Sequence, residues 1–128
     1  MIMNISGAIN DHTIETPEIH LPYGNYSFSL LNFIGNLEHP IKFSEIIEIS
    51  CNLVQRDEAN PHRVIGFFES EDGSLSLKFT PTQKIEYKLR VNEISGLEIK
   101  LRGLTSDQIF KFTKVALQIQ IEETYARL

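Results

Sequence analysis

Between Thr82 and Gly103 the chain reads TQKIEYKLRVNEISGLEIKLRG, and its apolar residues return at every second position. Ile85, Tyr87, Leu89 and Val91 fall on one side, with Lys84, Glu86, Lys88 and Arg90 on the other. After a short break Leu97, Ile99 and Leu101 oppose Glu98, Lys100 and Arg102. A period of two belongs to a β-strand with one buried face, not to a helix, whose apolar stripe returns roughly every three to four residues. Strands of this kind need a second layer to cover their apolar side, so the pattern constrains the chain to packed sheets.

The same period recurs along the chain. Tyr26, Phe28 and Leu30 share a side, as do Leu75, Leu77 and Phe79. Ile47, Ile49, Cys51 and Leu53 oppose Ile46, Glu48, Ser50 and Asn52, and Val115, Leu117, Ile119 and Ile121 oppose Lys114, Ala116, Gln118 and Gln120. Met1 to Ile9 reads as a first strand ended by the turn signal Asn10-Asp11-His12. Pro17 cannot donate to a ladder and places Thr13 to Leu21 at a sheet edge or in extended coil. Gly24-Asn25 and Gly73 mark turns. Ser106 could cap a helical turn, but the alternation beyond Phe112 predicts a strand, and Glu122 to Leu128 reads as a helical turn or a docking tail. The expectation is a single all-β domain over residues 1–128: an antiparallel two-sheet β-sandwich of about eight or nine strands, with a jelly roll and an immunoglobulin-like sandwich both open, because they share the alternation and differ in connectivity.

A chain of 128 residues is long enough to bury a core without disulfide or metal support. Its 17 acidic and 12 basic residues leave a formal charge of -5, which argues against a dedicated nucleic-acid binder, because phosphate neutralisation requires clustered Lys and Arg. The single Cys51 excludes an internal disulfide and fits a reducing compartment; lying in an apolar strand, it reads as a buried, inert thiol. No secretion signal or membrane-length apolar run is visible.

Catalytic chemistry finds little footing. His12, His20, His39 and His62 are spaced singly, without a metal-ligand pairing, and neither a phosphate loop nor a nucleophile elbow is present, so no enzyme activity, metal or cofactor is expected. The mixed-charge loop of Gln55 to Arg63, with Arg56, Asp57, Glu58, His62 and Arg63, and the turn with Glu71 and Asp72 are candidate recognition loops on a rigid scaffold. The charged strand faces, Lys84, Glu86, Lys88 and Arg90 with Glu98, Lys100 and Arg102, are candidate interface residues on two neighbouring strands.

The run Ser50-Cys51-Asn52-Leu53-Val54, the segment NEISGLEIKLRG from Asn92 to Gly103, and KVALQIQI from Lys114 to Ile121 resemble the small single jelly-roll capsid proteins, of penton or minor-capsid kind, of Maverick/polinton-like elements, adintoviruses and related DNA viruses. IHLPYGNYSFSLL, Ile19 to Leu31, resembles that family's extended approach to a Gly-containing turn. The loop after Val54 is shorter than in that family, and Val64 to Phe68 stands where a longer apolar strand is expected. The resemblance implies a single jelly roll of about eight strands and a structural, self-assembling subunit, a penton or minor capsid protein or a domesticated relative, whose partners are itself and other capsid-type subunits, as a trimer or pentamer, in a virion or an intracellular compartment, with no catalytic residues to carry over. The charged strand faces would then meet neighbouring subunits and set register. The alternative from the residues themselves is a non-catalytic β-sandwich module that binds carbohydrate, peptide or protein through its loops.

Overall fold

The computed structural model describes residues 1–8, 12–90 and 93–124. Among these, nine strands occur: β1 (Ile2–Ala8), β2 (Thr13–His20), β3 (Asn25–Leu37), β4 (Ile46–Cys51), β5 (Val64–Glu69), β6 (Ser76–Phe79), β7 (Tyr87–Lys88), β8 (Glu93–Gly103) and β9 (Phe112–Thr124). The first sheet has the order β1-β9-β3-β6, with β7 also paired to β3, and the second has the order β2-β8-β4-β5. All pairings are antiparallel. The predicted all-β, two-sheet sandwich is therefore what the chain forms.

The core lies where the inner faces meet. Leu97, Ile99 and Leu101 of β8 and Ile47 and Ile49 of β4 point inward from the second sheet, all with no exposed surface. From the first sheet Phe28, Phe33, Val115 and Ile119 point back at them, none more than 1% exposed. Alternation explains this directly, since a strand with every second residue apolar presents one continuous apolar face. Two glycines let the aromatics close in. A Cβ on Gly35 would stand 2.6 Å from the Phe112 ring, and one on Gly66 would stand 2.6 Å from the Phe79 ring. Gly73, at φ +79°, makes the tight turn before β6.

Several expectations are met in detail. β2 is an edge strand, and its register shifts between Glu15 and Ile19, around Pro17. The stretch after Ser106 becomes strand at Phe112. Glu122 to Thr124, read as the start of a helical turn or tail, instead continue β9 against β3, while the rest of that segment from Tyr125, together with Ile9, Asn10, Asp11, Val91 and Asn92, lies outside the described residues.

Other readings are corrected. Lys84 to Arg90 does not form a long strand beside β8: only Tyr87–Lys88 pairs, and with Ser27 and Phe28 of β3 in the opposite sheet. Leu89 makes a single bridge to Val54. Further along, the same β3 edge is occupied by β6 from Phe33 to Asn36, which limits the ladder left for the alternating segment. Ile85, read as inward, is consequently 53% exposed, and Leu75, which precedes β6, is 54% exposed.

Candidate interaction face

The outer face of the second sheet is built from the residues that β4, β5 and β8 turn away from the core. The pairing registers line up one row across four chain segments: Ile109 bridges Arg102, Arg102 faces Glu48, and Glu48 faces Phe67. Arg102 donates through Nε to Glu48 Oε1 at 2.9 Å and through a terminal nitrogen to Asp107 Oδ1 at 2.8 Å. The Glu48 bond first, and Asp107 second, holds the guanidinium above its ordinary pKa, so it stays charged. Asp107 itself sits at φ +58°, a left-handed turn position that Asp tolerates well.

Apolar side chains flank this ion pair. Phe67 is 53% exposed and Ile109 40%. In the next row Leu104 donates its backbone N–H to Ile46 O at 2.9 Å, and both of these side chains are also exposed. On the other side of the ion pair Lys100 faces Ser50, and Lys100 Nζ lies 3.2 Å from Glu98.

The loop between β4 and β5 borders the same face. Asn60 pins it: its side-chain amide donates to Val64 O at 2.9 Å, its Oδ1 accepts from Val64 N at 2.8 Å, and its backbone N–H donates to Asp57 Oδ1 at 2.7 Å. A cleft of about 550 Å³ opens between this loop, Phe67 and the Glu86-Tyr87-Lys88 segment. A smaller one of about 250 Å³ holds Arg63, Glu98, Lys100, Arg102 and Ile109. Glu48 and His62 line both, so the two clefts adjoin.

Among the residues singled out from sequence, Asp57, His62, Glu86 and Lys88 line the larger cleft, and His62, Arg63, Glu98, Lys100 and Arg102 line the smaller. Lys84 instead turns to Glu122 at 3.3 Å and Glu86 at 3.6 Å, and Arg90 Nε donates to Asn52 O at 3.1 Å. Arg56 and Glu58 are exposed on the loop without lining either cleft. Glu71 and Asp72 are exposed in the turn after β5, at the opposite end of that strand from the His62 loop.

The chain matches no protein-family model, no curated protein and no solved structure. Sequence reasoning missed Phe67 and Leu104 as surface features. Phe67-Phe68, like Ile46-Ile47, is a doublet of bulky apolar residues in a period-two strand, so one member of each must face outward. That was the available signal.

Cys51 is 2% exposed, and burial pushes its thiol up to about 12. Native protein near pH 8 should therefore resist a thiol reagent until denaturant opens the sandwich, whereas rapid labelling of the folded chain would contradict the burial. Among the described residues Glu18, His20 and Glu93 bring potential metal-ligand atoms within 4.8 Å of one another, but all three are exposed. Both His20 ring nitrogens already face carboxylates, at 3.1 and 3.5 Å.

Among the described residues no helix is long and apolar enough to cross a membrane.

Proposed function

We propose that this chain is a structural subunit, a single jelly roll that assembles with copies of itself and with similar capsid-type subunits through the outer face of its second sheet. The observation that carries the reading is the row Phe67, Glu48, Arg102 and Ile109, in which exposed apolar side chains bracket a fixed ion pair. Aromatic and Arg anchors surrounded by polar residues are the composition of a protein contact, and charges held in place set its register more than its strength.

The jelly-roll part is supported by how the strands nest. β1 pairs with β9, β2 with β8, β3 with β6 and β4 with β5, and successive pairs alternate between the sheets. Rolling one long antiparallel hairpin into a sandwich produces this order. The resemblance of Ser50 to Ile121 points the same way, toward a trimer or pentamer closed by head-to-tail contacts. The unpaired Cys51 suits a virion or a reducing compartment.

Ile46→Lys and Phe67→Lys test the face. Both side chains are more than half exposed, at 51% and 53%, so stability should change by no more than about 0.5 kcal/mol while every species larger than a dimer seen by sedimentation is lost. An oligomer indifferent to both substitutions would overturn the assignment of this face.

The larger cleft favours one other reading, a module that binds carbohydrate, peptide or protein. Phe67 and Tyr87 offer aromatic surface beside a loop fixed by Asn60. Saturable binding of a glycan or peptide that is lost in Phe67→Ala would move the assignment there; a flat response to both ligand classes would remove it.

A further inference from the structure

A two-sheet sandwich has open edges, and open edges invite a further strand unless something spoils them. Among the described residues three edges are spoiled. β2 contains Pro17 with Glu15 and Glu18, and its register shifts against β8. β5 has a register shift against β4 and ends in Glu69. β6 has four residues and carries Lys78, and β7 has two. β1 differs: it is seven residues long, IMNISGA, without charge or proline, and it pairs with β9 without a shift from Ile2↔Gln120 to Ala8↔Lys114.

The phase of that ladder determines which groups look outward. Met1 and Ile121 exchange both backbone hydrogen bonds at 2.9 Å. Alternation along an antiparallel strand then turns the N–H and C=O of Ile2, Asn4, Ser6 and Ala8 to the open side. A side-chain chain of hydrogen bonds runs to the same edge. Thr80 Oγ1 donates to Asn32 Oδ1 at 2.8 Å, Asn32 Nδ2 to Gln118 Oε1 at 3.4 Å, and Gln118 Nε2 to Asn4 Oδ1 at 3.1 Å. Asn32, Gln118 and Asn4 are direct cross-strand neighbours, and Asn4 is the last of the row, with its own amide N–H₂ as the next donor.

We propose that β1 pairs antiparallel with β1 of a second copy, Asn4 facing Asn4 of that copy across a two-fold axis. In this register Ile2 faces Ser6 and Met3 faces Ile5, so the facing pairs bearing outward backbone groups on one copy meet outward groups on the other. Each Asn4 donates to the other's Oδ1, and the amide row continues from one molecule into the next. An extended peptide of a different protein would satisfy the backbone but not this reciprocal amide contact, and two neutral strands meet without like-charge repulsion. One strand edge buries little area, so the pairing is a concentration-dependent equilibrium, not a permanent dimer. It uses a different surface from the Phe67 face and stands independently of it.

Two measurements on the intact chain test the pairing. Sedimentation velocity across a concentration series should show a dimer in Phe67→Lys, where the other contact face is blocked, and Asn4→Lys added to that variant should weaken it at least about tenfold by setting two ammonium groups opposite each other. Asn4→Cys should oxidise to a symmetric disulfide-linked dimer, because facing Cα atoms of such a pair lie about 5.5 Å apart. Ser6→Cys, which faces Ile2, should link far less. A dimer unaffected by Asn4→Lys, or cross-linking that is absent in Asn4→Cys or stronger in Ser6→Cys, would overturn the pairing.

Discussion

Ile49→Asp leaves the chain without a folded state. Ile49 has no exposed surface and sits mid-strand in β4, with Gly66 of β5 on one side and Leu101 of β8 on the other. A carboxylate placed there has no partner and no route to water, and it costs several kcal/mol against a total stability of about 5 to 15 kcal/mol. Circular dichroism and a urea titration should show no cooperative transition. Lys88→Asp, at an exposed position of β7, is the control and should unfold cooperatively. Equal tolerance of both substitutions would mean that the inward and outward faces are wrongly assigned.

Phe33→Ala should cost about 3 to 5 kcal/mol, the usual range for emptying a buried aromatic site. The ring is 1% exposed and meets Phe112 edge to face, with centroids 5.9 Å apart at 73°. The space cannot readily refill from the backbone side, because Gly35 supplies no side chain there and the Phe112 ring already fills the position its Cβ would take. The urea midpoint should fall with the slope unchanged, the mark of lost stability and not of a different fold. A loss below about 1 kcal/mol would show that the core relaxes around the hole far more than close packing allows.

How legible these features were depended on the kind of information each required. β8 and β9 could be read residue by residue, because each is buried on one face only and the period of two is the burial pattern itself: Leu97, Ile99, Leu101, Val115, Ile119 and Ile121 all lie inside. Lys84 to Arg90 carries the same period, yet it forms only a two-residue strand. Periodicity reports which side of a strand is apolar; it does not report whether a neighbour has a free edge, and β6 occupies much of the one on β3.

The interaction face divides along the same line. Glu98, Lys100 and Arg102 were visible as the polar half of an alternating strand. The role of Glu48 was not, since its 9% side-chain exposure comes from an ion pair with Arg102, 54 residues away. Glu45 was equally hidden. Its carboxylate accepts the backbone N–H groups of Thr105 and Ser106 at 3.1 and 3.0 Å and so holds the turn that presents Leu104 and Asp107, a contact across about 60 residues that no local pattern announces.

The most direct test of the central claim is the solution mass of the intact chain, measured by light scattering over a wide range of protein concentration and salt. A closed assembly of three or five chains, each of 14.7 kDa, is the predicted result. A strict monomer at every concentration, or nothing larger than a dimer that Asn4→Lys abolishes, would contradict assembly through the Phe67 face.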